Sequence, residues 1–287
     1  MSSGRVGAAS GPPNAYQVAD SLSLLPQSVP PSPVSLLGGD PKPSPSGLDP
    51  AQKHRAEAMT SLFENSTQTL QYGYIENIHD GRGYTAGRAG FTTATGDLVE
   101  VVRDYTAKVP KNSMAGLLPR LDTLAHAVSD DVTGLERLPN AWTKAAKDPT
   151  FRQVQDDVVD RLYYQPAMDH AATLGIKSAL GKTILYDAII QHGDSPDYAD
   201  GLPALIAETN KVTVGSPADG ADEQAWLRTF LRLRRADLAC AHDPATRTAW
   251  AESVGRVDVQ QAILDAGNLD LKGPLHFRYD GDWTDIP

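Results

Sequence analysis

The chain has 287 residues, 40% of them hydrophobic, and a formal net charge of −10 at pH 7. Such an acidic chain would repel the phosphates of nucleic acid and favours a cationic partner, although the same charge can serve solubility alone. The single cysteine, Cys240, excludes an internal disulfide, and no apolar run is long enough to span a membrane.

The first 50 residues contain ten of the 21 prolines, together with ten serines and six glycines. A segment of this composition cannot bury enough apolar surface to offset the entropy that is lost on ordering. We therefore predict a disordered leader or linker over residues 1–50 and a folded body over residues 51–287, with a leader that packs along the body as the alternative. The leader shows no basic segment followed by an apolar core, so no export signal is visible.

Beyond the leader, apolar residues recur at the three- and four-residue spacing of amphipathic helices. Asp97 and Asp222 stand where helix N-caps belong, because each precedes such a run. The segment from Leu174 to Ile190 is mainly apolar and predicts a central helix. The other predicted helix faces are Ala56, Met59, Leu62 and Phe63; Leu98, Val101, Val102 and Tyr105; Val154, Val158, Leu162 and Tyr163; Trp226, Leu227, Phe230 and Leu233; and Ile263 and Leu264.

Residues 80–96 break the helical pattern with five glycines and short runs of threonine and aromatic residues. This composition indicates small strands joined by tight turns. The predicted fold class is therefore mainly α with a small β-sheet.

The sequence lacks the motifs of covalent, zinc and nucleotide chemistry: Gly-x-Ser-x-Gly, His-Glu-x-x-His, a phosphate-binding loop and a cysteine pair. Two isolated carboxylates remain, Glu64 at a predicted helix end and Asp80 at a predicted turn. Glycoside hydrolysis needs one acid to protonate the leaving oxygen and one carboxylate base to activate water. Taken singly, Glu64 could equally be a solvated helix-end residue and Asp80 an ordinary turn residue.

Several segments, in a shared order, point to one family. They are Glu64-Asn65-Ser66, QYGYIENIHDGRGYT at 71–85, GFTTATGD at 90–97, YDAIIQHG at 186–193 and AGNLDL at 266–271. Together they resemble glycoside hydrolase family 46, the chitosanases, from about residue 55 to 272. The resemblance implies a lysozyme-like fold with two lobes around a substrate cleft. It also implies endo-hydrolysis of the β-1,4 bonds of chitosan with inversion, no metal or other cofactor, and a secreted enzyme that binds glucosamine oligomers; we expect a monomer.

By the same resemblance, Glu64 is the general acid and Asp80 is the general base that deprotonates a water molecule on the opposite face of the sugar. A carboxylic acid that donates a proton is expected to lie in a partly buried position. Thr85 would help to orient the water, with an ordinary strand threonine as the alternative.

The predicted substrate-binding residues also come from the resemblance. Arg82 would hold the base in position, and Asp97 would pair with a glucosamine ammonium group while also capping its helix. Tyr74 and His192 match residues that contact sugar, with packing as the alternative for each.

Asp187 lies inside an apolar run, so it is expected to be buried and to require a partner. The family resemblance pairs it with Arg234 and Arg256 in a buried ion network. Two other functions stay open: a lysozyme- or chitinase-like hydrolase, and a non-catalytic chitosan-binding protein with the same fold. A charge-pairing carboxylate such as Asp97 argues against the first, and the presence of both Glu64 and Asp80 argues against the second.

Overall fold

The structure is a computed structural model that describes residues 47–79, 81–242, 244 and 247–287. Helices dominate these residues, as the apolar spacing predicted. The helices are α1 (Pro50–Asn65), α2 (Asp97–Lys108), α3 (Leu118–Ala127), α4 (Leu138–Ala145), α5 (Pro149–Val159), α6 (Gln165–Leu174), α7 (Ala179–His192), α8 (Leu202–Thr213), α9 (Glu223–Ala239), α10 (Arg247–Glu252) and α11 (Gly255–Asp265). The strands are β1 (Ile75–Asn77), β2 (Tyr84–Ala86), β3 (Phe91–Thr92), β4 (Leu275–Tyr279) and β5 (Asp282–Ile286).

The start of α1 is fastened to the body by residues that precede it. The Asp49 side chain accepts a hydrogen bond from the Gln52 N–H at 2.8 Å, and the Gln52 side chain accepts one from the Asp49 N–H, which completes a capping box. The Leu48 N–H donates to the Tyr164 hydroxyl at 2.7 Å, and Leu48 packs against the core. The folded body therefore includes Leu48 and Asp49, which the sequence prediction assigned to the leader. Residues 1–46 of that leader lie outside the described residues.

A chain that begins at Ala51 should be less stable than one that begins at Gly47, because it loses the Asp49 cap and the Leu48 contacts. A lost N-cap alone typically costs about 1 kcal/mol, so we expect a melting temperature lower by roughly 2–4 °C or more. Calorimetry of both shortened chains beside the full chain measures this. Equal melting temperatures for the two shortened chains would contradict the role of the cap.

The first lobe consists of β1–β3 and helices α2–α5 around one hydrophobic core. Strand β2 lies between β1 and β3 in an antiparallel sheet, with Thr85 opposite Glu76 on one side and Thr92 on the other. Gly87 has a φ of 72°, and a Cβ on it would lie 2.4 Å from Oε1 of Gln155 in α5. Only glycine fits this turn, because both the backbone and the approach of α5 exclude a side chain. The predicted small sheet is confirmed, and it also includes β1, which precedes the glycine-rich segment.

The second lobe encloses a larger core between α1 and α6–α11, and the hairpin of β4 and β5 closes it. Its central helix α7 is buried on nearly every side, as its apolar sequence predicted. The helix begins at Ala179 and not at Leu174, because Gly175, with a φ of 72°, ends α6. Ser178 then caps α7 by accepting a hydrogen bond from the Gly181 N–H at 3.0 Å.

The two lobes are joined by α5 and α6, which continue into each other through a π-helical turn at Asp160–Tyr164. Tyr163, in this turn, packs against both cores. Turns of this kind interrupt the regular helix and are frequent at functional sites. In the part of the chain that the structure describes, no helix is long and apolar enough to cross a membrane.

Candidate active site

Glu64 lies in the last turn of α1, at the helix end where the sequence placed it. Its residue surface is only 7% exposed, so the expected partly buried position is present. One carboxylate oxygen, Oε1, accepts a hydrogen bond from Nη2 of Arg256, which lies in α11 and is 192 residues away in the sequence. This contact holds the Glu64 side chain against α11.

The same guanidinium nitrogen also donates to Oδ1 of Asp187 at 2.8 Å, so Arg256 bridges Glu64 to a buried network. Asp187 has no exposed surface and accepts two further hydrogen bonds, from Nη1 of Arg234 at 2.7 Å and from Nε2 of Gln260 at 2.9 Å. Burial alone would raise the pKa of Asp187, but the charges of Arg256 and Arg234 and their hydrogen bonds outweigh it, so its pKa is lowered. The structure thus brings the three predicted network residues into direct contact.

The network has a further member, Gln260, that the sequence prediction missed. It also accepts a hydrogen bond from Nη1 of Arg234 at 3.1 Å. Gln260 lies four residues after Arg256 on α11, so the two side chains share a helix face. This four-residue spacing could have predicted Gln260 as a member of the network, but only once Arg256 was known to be buried.

His192 is placed differently from the prediction. Its side chain is fully buried, Nε2 accepts a hydrogen bond from Nε of Arg234 at 3.1 Å, and Nδ1 donates to the Asp200 carbonyl at 2.8 Å. Burial and the charge of Arg234 hold the pKa of His192 well below its usual value, so the ring is neutral. A side chain without exposed surface cannot contact sugar in this conformation, and we therefore correct the substrate-binding prediction: His192 extends the buried network.

The first lobe presents Tyr74, Arg82 and Thr85, on or beside the small sheet. Thr85 lies in the middle of β2 and is 1% exposed, and its hydroxyl has no hydrogen-bond partner among the described residues. Tyr74 is half-buried, and its hydroxyl donates to Oε2 of Glu76 at 3.3 Å. Asp80, the predicted base, lies outside the described residues.

Asp97 is the first residue of α2, and Gly96 occupies the N-cap position that the sequence assigned to Asp97. Its Oδ1 accepts hydrogen bonds from the Thr92 N–H at 2.8 Å, the Thr95 hydroxyl at 2.6 Å and the Leu98 N–H at 2.9 Å. Burial raises the pKa of Asp97, against the effect of these hydrogen bonds. One carboxylate oxygen therefore holds β3 to α2.

Tyr163 lies at the junction of the two cores, whereas the sequence prediction treated it only as part of an apolar face. Burial raises its pKa above the usual tyrosine value; the charges of Asp97 and Glu64 add to this effect and the charge of Arg82 opposes it. Because Tyr163 packs against both cores, it lies between the two lobes. Nothing in the local spacing distinguishes such a tyrosine from an ordinary core residue.

A separate acidic cluster lies beyond His192. The ligand-type atoms of Asp200, Asp237 and His242 all lie within 4.8 Å of one another, which is close enough to hold a metal ion. A hydrogen bond of 2.5 Å already joins Nδ1 of His242 to Oδ1 of Asp200, and Oδ2 of Asp237 lies 3.5 Å from Nδ1 of His192. Burial and the adjacent Asp200 carboxyl raise the pKa of Asp237 to about 7.

Asp237→Asn should stabilise the protein at pH 8 and change little at pH 4. The unfolded carboxyl titrates near about pH 3.9, so between pH 4 and 7 the native carboxyl keeps a proton that the unfolded chain has released. The Asp237 carboxyl therefore makes its full contribution to the free energy of unfolding below pH 4. That contribution is lost as the pH rises through the native pKa. One pKa unit corresponds to about 1.4 kcal/mol, so the gain at pH 8 is on the order of 2–4 kcal/mol.

Urea unfolding at both pH values measures this effect. Asp258→Asn is the matched control, because Asp258 is exposed and pairs with Arg235 at the surface. A gain of the same size at pH 4 and pH 8 would contradict the prediction.

The chain is similar to known proteins over most of its length. The model of the family described as glycosyl hydrolase family 46 matches residues 58–275. The chain is similar to a chitosanase of Bacillus subtilis (strain 168), with 51% identity over 232 residues that cover 81% of this chain and 83% of that protein. It is also similar to a chitosanase of Streptomyces sp. (strain N174), with 39% identity over 239 residues that cover 82% of this chain and 81% of that protein.

Two solved structures are similar over the same part of the chain. The crystal structure of native chitosanase from Bacillus subtilis MY002 matches with a TM-score of 0.77 and 50% identity, covering 84% of this chain and 100% of that one. A complex of a Gynuella sunshinyii chitosanase with chitotetraose matches with a TM-score of 0.76 and 48% identity, covering 84% and 99% of the two chains.

Proposed function

The chain belongs to glycosyl hydrolase family 46 and hydrolyses chitosan, and we propose that it cuts the polymer internally with inversion at the anomeric carbon. The observation that carries this proposal is the match of the family over residues 58–275, which include both Glu64 and Asp80. The contact of Glu64 with Arg256 and the buried position of Thr85 support the roles that follow.

Glu64 acts in this proposal as the general acid. When it gives its proton to the leaving oxygen, it becomes a carboxylate beside Nη2 of Arg256. Two arginines and one aspartate leave the buried network with one excess positive charge, and the new carboxylate balances that charge. A preorganised charge-assisted hydrogen bond of this kind stabilises the anion without rearrangement.

Asp80 acts as the general base, taking a proton from the water that attacks the anomeric carbon. Inverting hydrolases keep their two carboxyl groups about 6.5–9.5 Å apart to leave room for this water. Thr85 follows closely in β2, and its buried hydroxyl has no partner among the described residues. Because an unpaired buried hydroxyl costs free energy, a bound water is a natural partner, which supports Thr85 as the residue that orients it.

The substrate-binding role is proposed for Asp97, Arg82 and Tyr74. Oδ1 of Asp97 is occupied by three hydrogen bonds within the fold. Its second oxygen is therefore the one that would meet the ammonium of a glucosamine unit. The influence of both Asp97 and Arg82 on Tyr163 supports a shared location at the junction of the lobes.

The two other functions fit less well. A lysozyme- or chitinase-like enzyme would act on acetylated sugars, which offer no ammonium group to Asp97. A non-catalytic chitosan-binding protein would not need an acid and a base together. We also propose that the enzyme is secreted, because a long polymer is encountered outside cells, and that it acts as a monomer without a cofactor.

The proposed function is tested by reducing-end release from chitosan and from chitin, with proton NMR of the earliest products. We expect rapid release from chitosan, slow release from chitin and an α-anomer as the first product, because inversion of a β-linkage gives α. Preferential hydrolysis of chitin would overturn the substrate assignment. A β-anomer appearing first would show retention and a carboxyl separation nearer about 5–5.5 Å.

A further inference from the structure

The C-terminal hairpin carries an aromatic surface that the catalytic roles do not use. Trp283 in β5 is 68% exposed, whereas the other three tryptophans, Trp142, Trp226 and Trp250, have no exposed surface. Its indole lies parallel to the imidazole of His276 in β4, with ring centroids 4.5 Å apart and planes 5° apart. This stacking orients the indole, covers one of its faces and leaves the other to solvent.

The charge around this ring pair is mainly negative. Three exposed aspartates lie on the hairpin, Asp280, Asp282 and Asp285, and Asp285 accepts a hydrogen bond from Nδ1 of His276 at 2.8 Å. Arg278 lies directly opposite Trp283 on the same face of the hairpin, but its Nε donates to the Gly281 carbonyl in the turn at 2.9 Å. Asp285 shares the face of Trp283 and His276, whereas Asp282 points to the opposite face of the hairpin. An aromatic face beside a carboxylate is complementary to a ligand that is both a sugar and a cation.

The hairpin is also fastened to the segment that carries Glu64. The ring of Tyr279 lies 5.0 Å from that of Phe63, the residue before Glu64. On the other side, Nε2 of Gln68 donates to the backbone carbonyl of Asp285 at 3.0 Å. The hairpin therefore packs directly against the end of the helix that carries Glu64 and the segment that follows it.

We propose that the stacked pair of Trp283 and His276, with Asp285, binds a glucosamine unit of the chitosan chain outside the catalytic cleft. The apolar face of the sugar ring stacks on the open face of the indole, and a carboxylate pairs with the ammonium group. This inference rests on the proposed function, because it assigns the same polymer to a second site.

The second site raises affinity only for a chain long enough to reach both places. Once the cleft holds one part of the polymer, the local concentration of the next units at Trp283 is high, and a weak contact becomes useful. A short oligomer that fills the cleft alone gains nothing from the hairpin. Chain-length dependence therefore separates this role from an ordinary cleft subsite.

The kinetic test compares Trp283→Ala, Trp283→Phe and the wild type on chitosan of low acetylation and on a short glucosamine oligomer. For Trp283→Ala we expect KM for the polymer to rise about three- to tenfold, with kcat and the oligomer kinetics unchanged. Trp283→Phe keeps an aromatic face and should retain most of the affinity. Val214→Ala, at a side chain that is 90% exposed and directly follows α8, is the control for removing an exposed apolar group.

A second measurement does not depend on catalysis. In the Glu64→Gln background, chitosan should protect the exposed tryptophan from quenching by acrylamide, a neutral quencher. The same measurement on Glu64→Gln with Trp283→Phe should show no protection, since its three remaining tryptophans are buried.

Unchanged polymer KM in Trp283→Ala together with no protection would overturn the inference while leaving chitosan hydrolysis intact. Protection without hydrolysis by the wild type would support the hairpin site and overturn the proposed function instead. A rise in KM for the short oligomer as large as that for the polymer would place Trp283 in the cleft and contradict a separate site.

Discussion

Replacement of Glu64 by glutamine should lower the turnover of chitosan about 10²–10⁴-fold while the protein stays folded. Glutamine has no proton to give to the leaving oxygen, but its amide oxygen can still accept the hydrogen bond from Arg256. Asp187 also remains as a counter-ion of Arg256 at 2.8 Å, so the buried network keeps an anion. Asp80→Asn should cause a loss of similar size, because the attacking water then lacks its base.

Initial rates of reducing-end release, with circular dichroism to check folding, measure both variants. Glu208→Gln is a suitable control, because Glu208 pairs with Lys211 on the exposed surface of α8 and has no role in the proposed site. We expect its rate to equal that of the wild type. A folded Glu64→Gln enzyme with nearly full activity would remove Glu64 from the role of acid, and the same result for Asp80→Asn would remove Asp80 from the role of base.

The second large effect is expected at the buried network. Asp187→Asn should destabilise the fold by about 3–5 kcal/mol, the usual cost when a buried ion pair loses one partner. Asp187 is the shared anion of two arginines that are themselves almost without exposed surface. Asparagine keeps one oxygen acceptor but leaves both guanidinium groups short of negative charge in a region of low polarity.

The matched control is the surface pair of Arg235 and Asp258, which joins α9 and α11 as the buried network does but lies more than half exposed. Asp258→Asn should cost less than about 1 kcal/mol, because exposed ion pairs contribute little. Urea unfolding of the two variants at pH 7 gives the comparison. Equal costs at the buried and the exposed site would mean that burial does not set the strength of the network.

Asp187→Asn should also lower catalysis, because the buried network fixes the position of Glu64. Arg256 holds Glu64, and in Asp187→Asn its guanidinium has only a neutral acceptor in place of the carboxylate on the other side. We therefore expect Asp187→Asn to reduce kcat for chitosan at temperatures where the variant is still folded. KM should change less, because none of these buried groups reaches the solvent.

Many features of the molecule follow from short-range sequence patterns. The one-sided apolar spacing before Glu64 predicted a helix that ends there, and the glycines after Asp80 predicted the small sheet. Asp187 could be expected to lie inside, because an acidic residue in a continuously apolar helix has no polar face to occupy. These predictions hold because helix periodicity, turn preference and burial depend on neighbours within a few residues.

The C-terminal hairpin shows where a local signal was present and was overlooked. Its turn is Asp280-Gly281, with φ values of 49° and 89°, between two strands, and burial alternates along the first of them, β4. An Asp-Gly pair flanked by such strands is a strong hairpin signal, because both turn positions need positive φ. The apolar-polar alternation covers only a few residues, so without knowledge of strand pairing this segment could be interpreted as an irregular C-terminal extension.

Other features depend on packing between distant parts of the chain. Helix spacing could not show that His192 faces Arg234 inside the second lobe, because its place at a helix end next to glycine fits a cleft residue equally well. Nor could it show that Glu64 meets Arg256 across 192 residues, or that Tyr163 lies at the junction of both cores. Contacts of this kind arise when separate helices bury their faces together. The sequence specifies those faces, whereas the side chains that meet there are set by the geometry of packing.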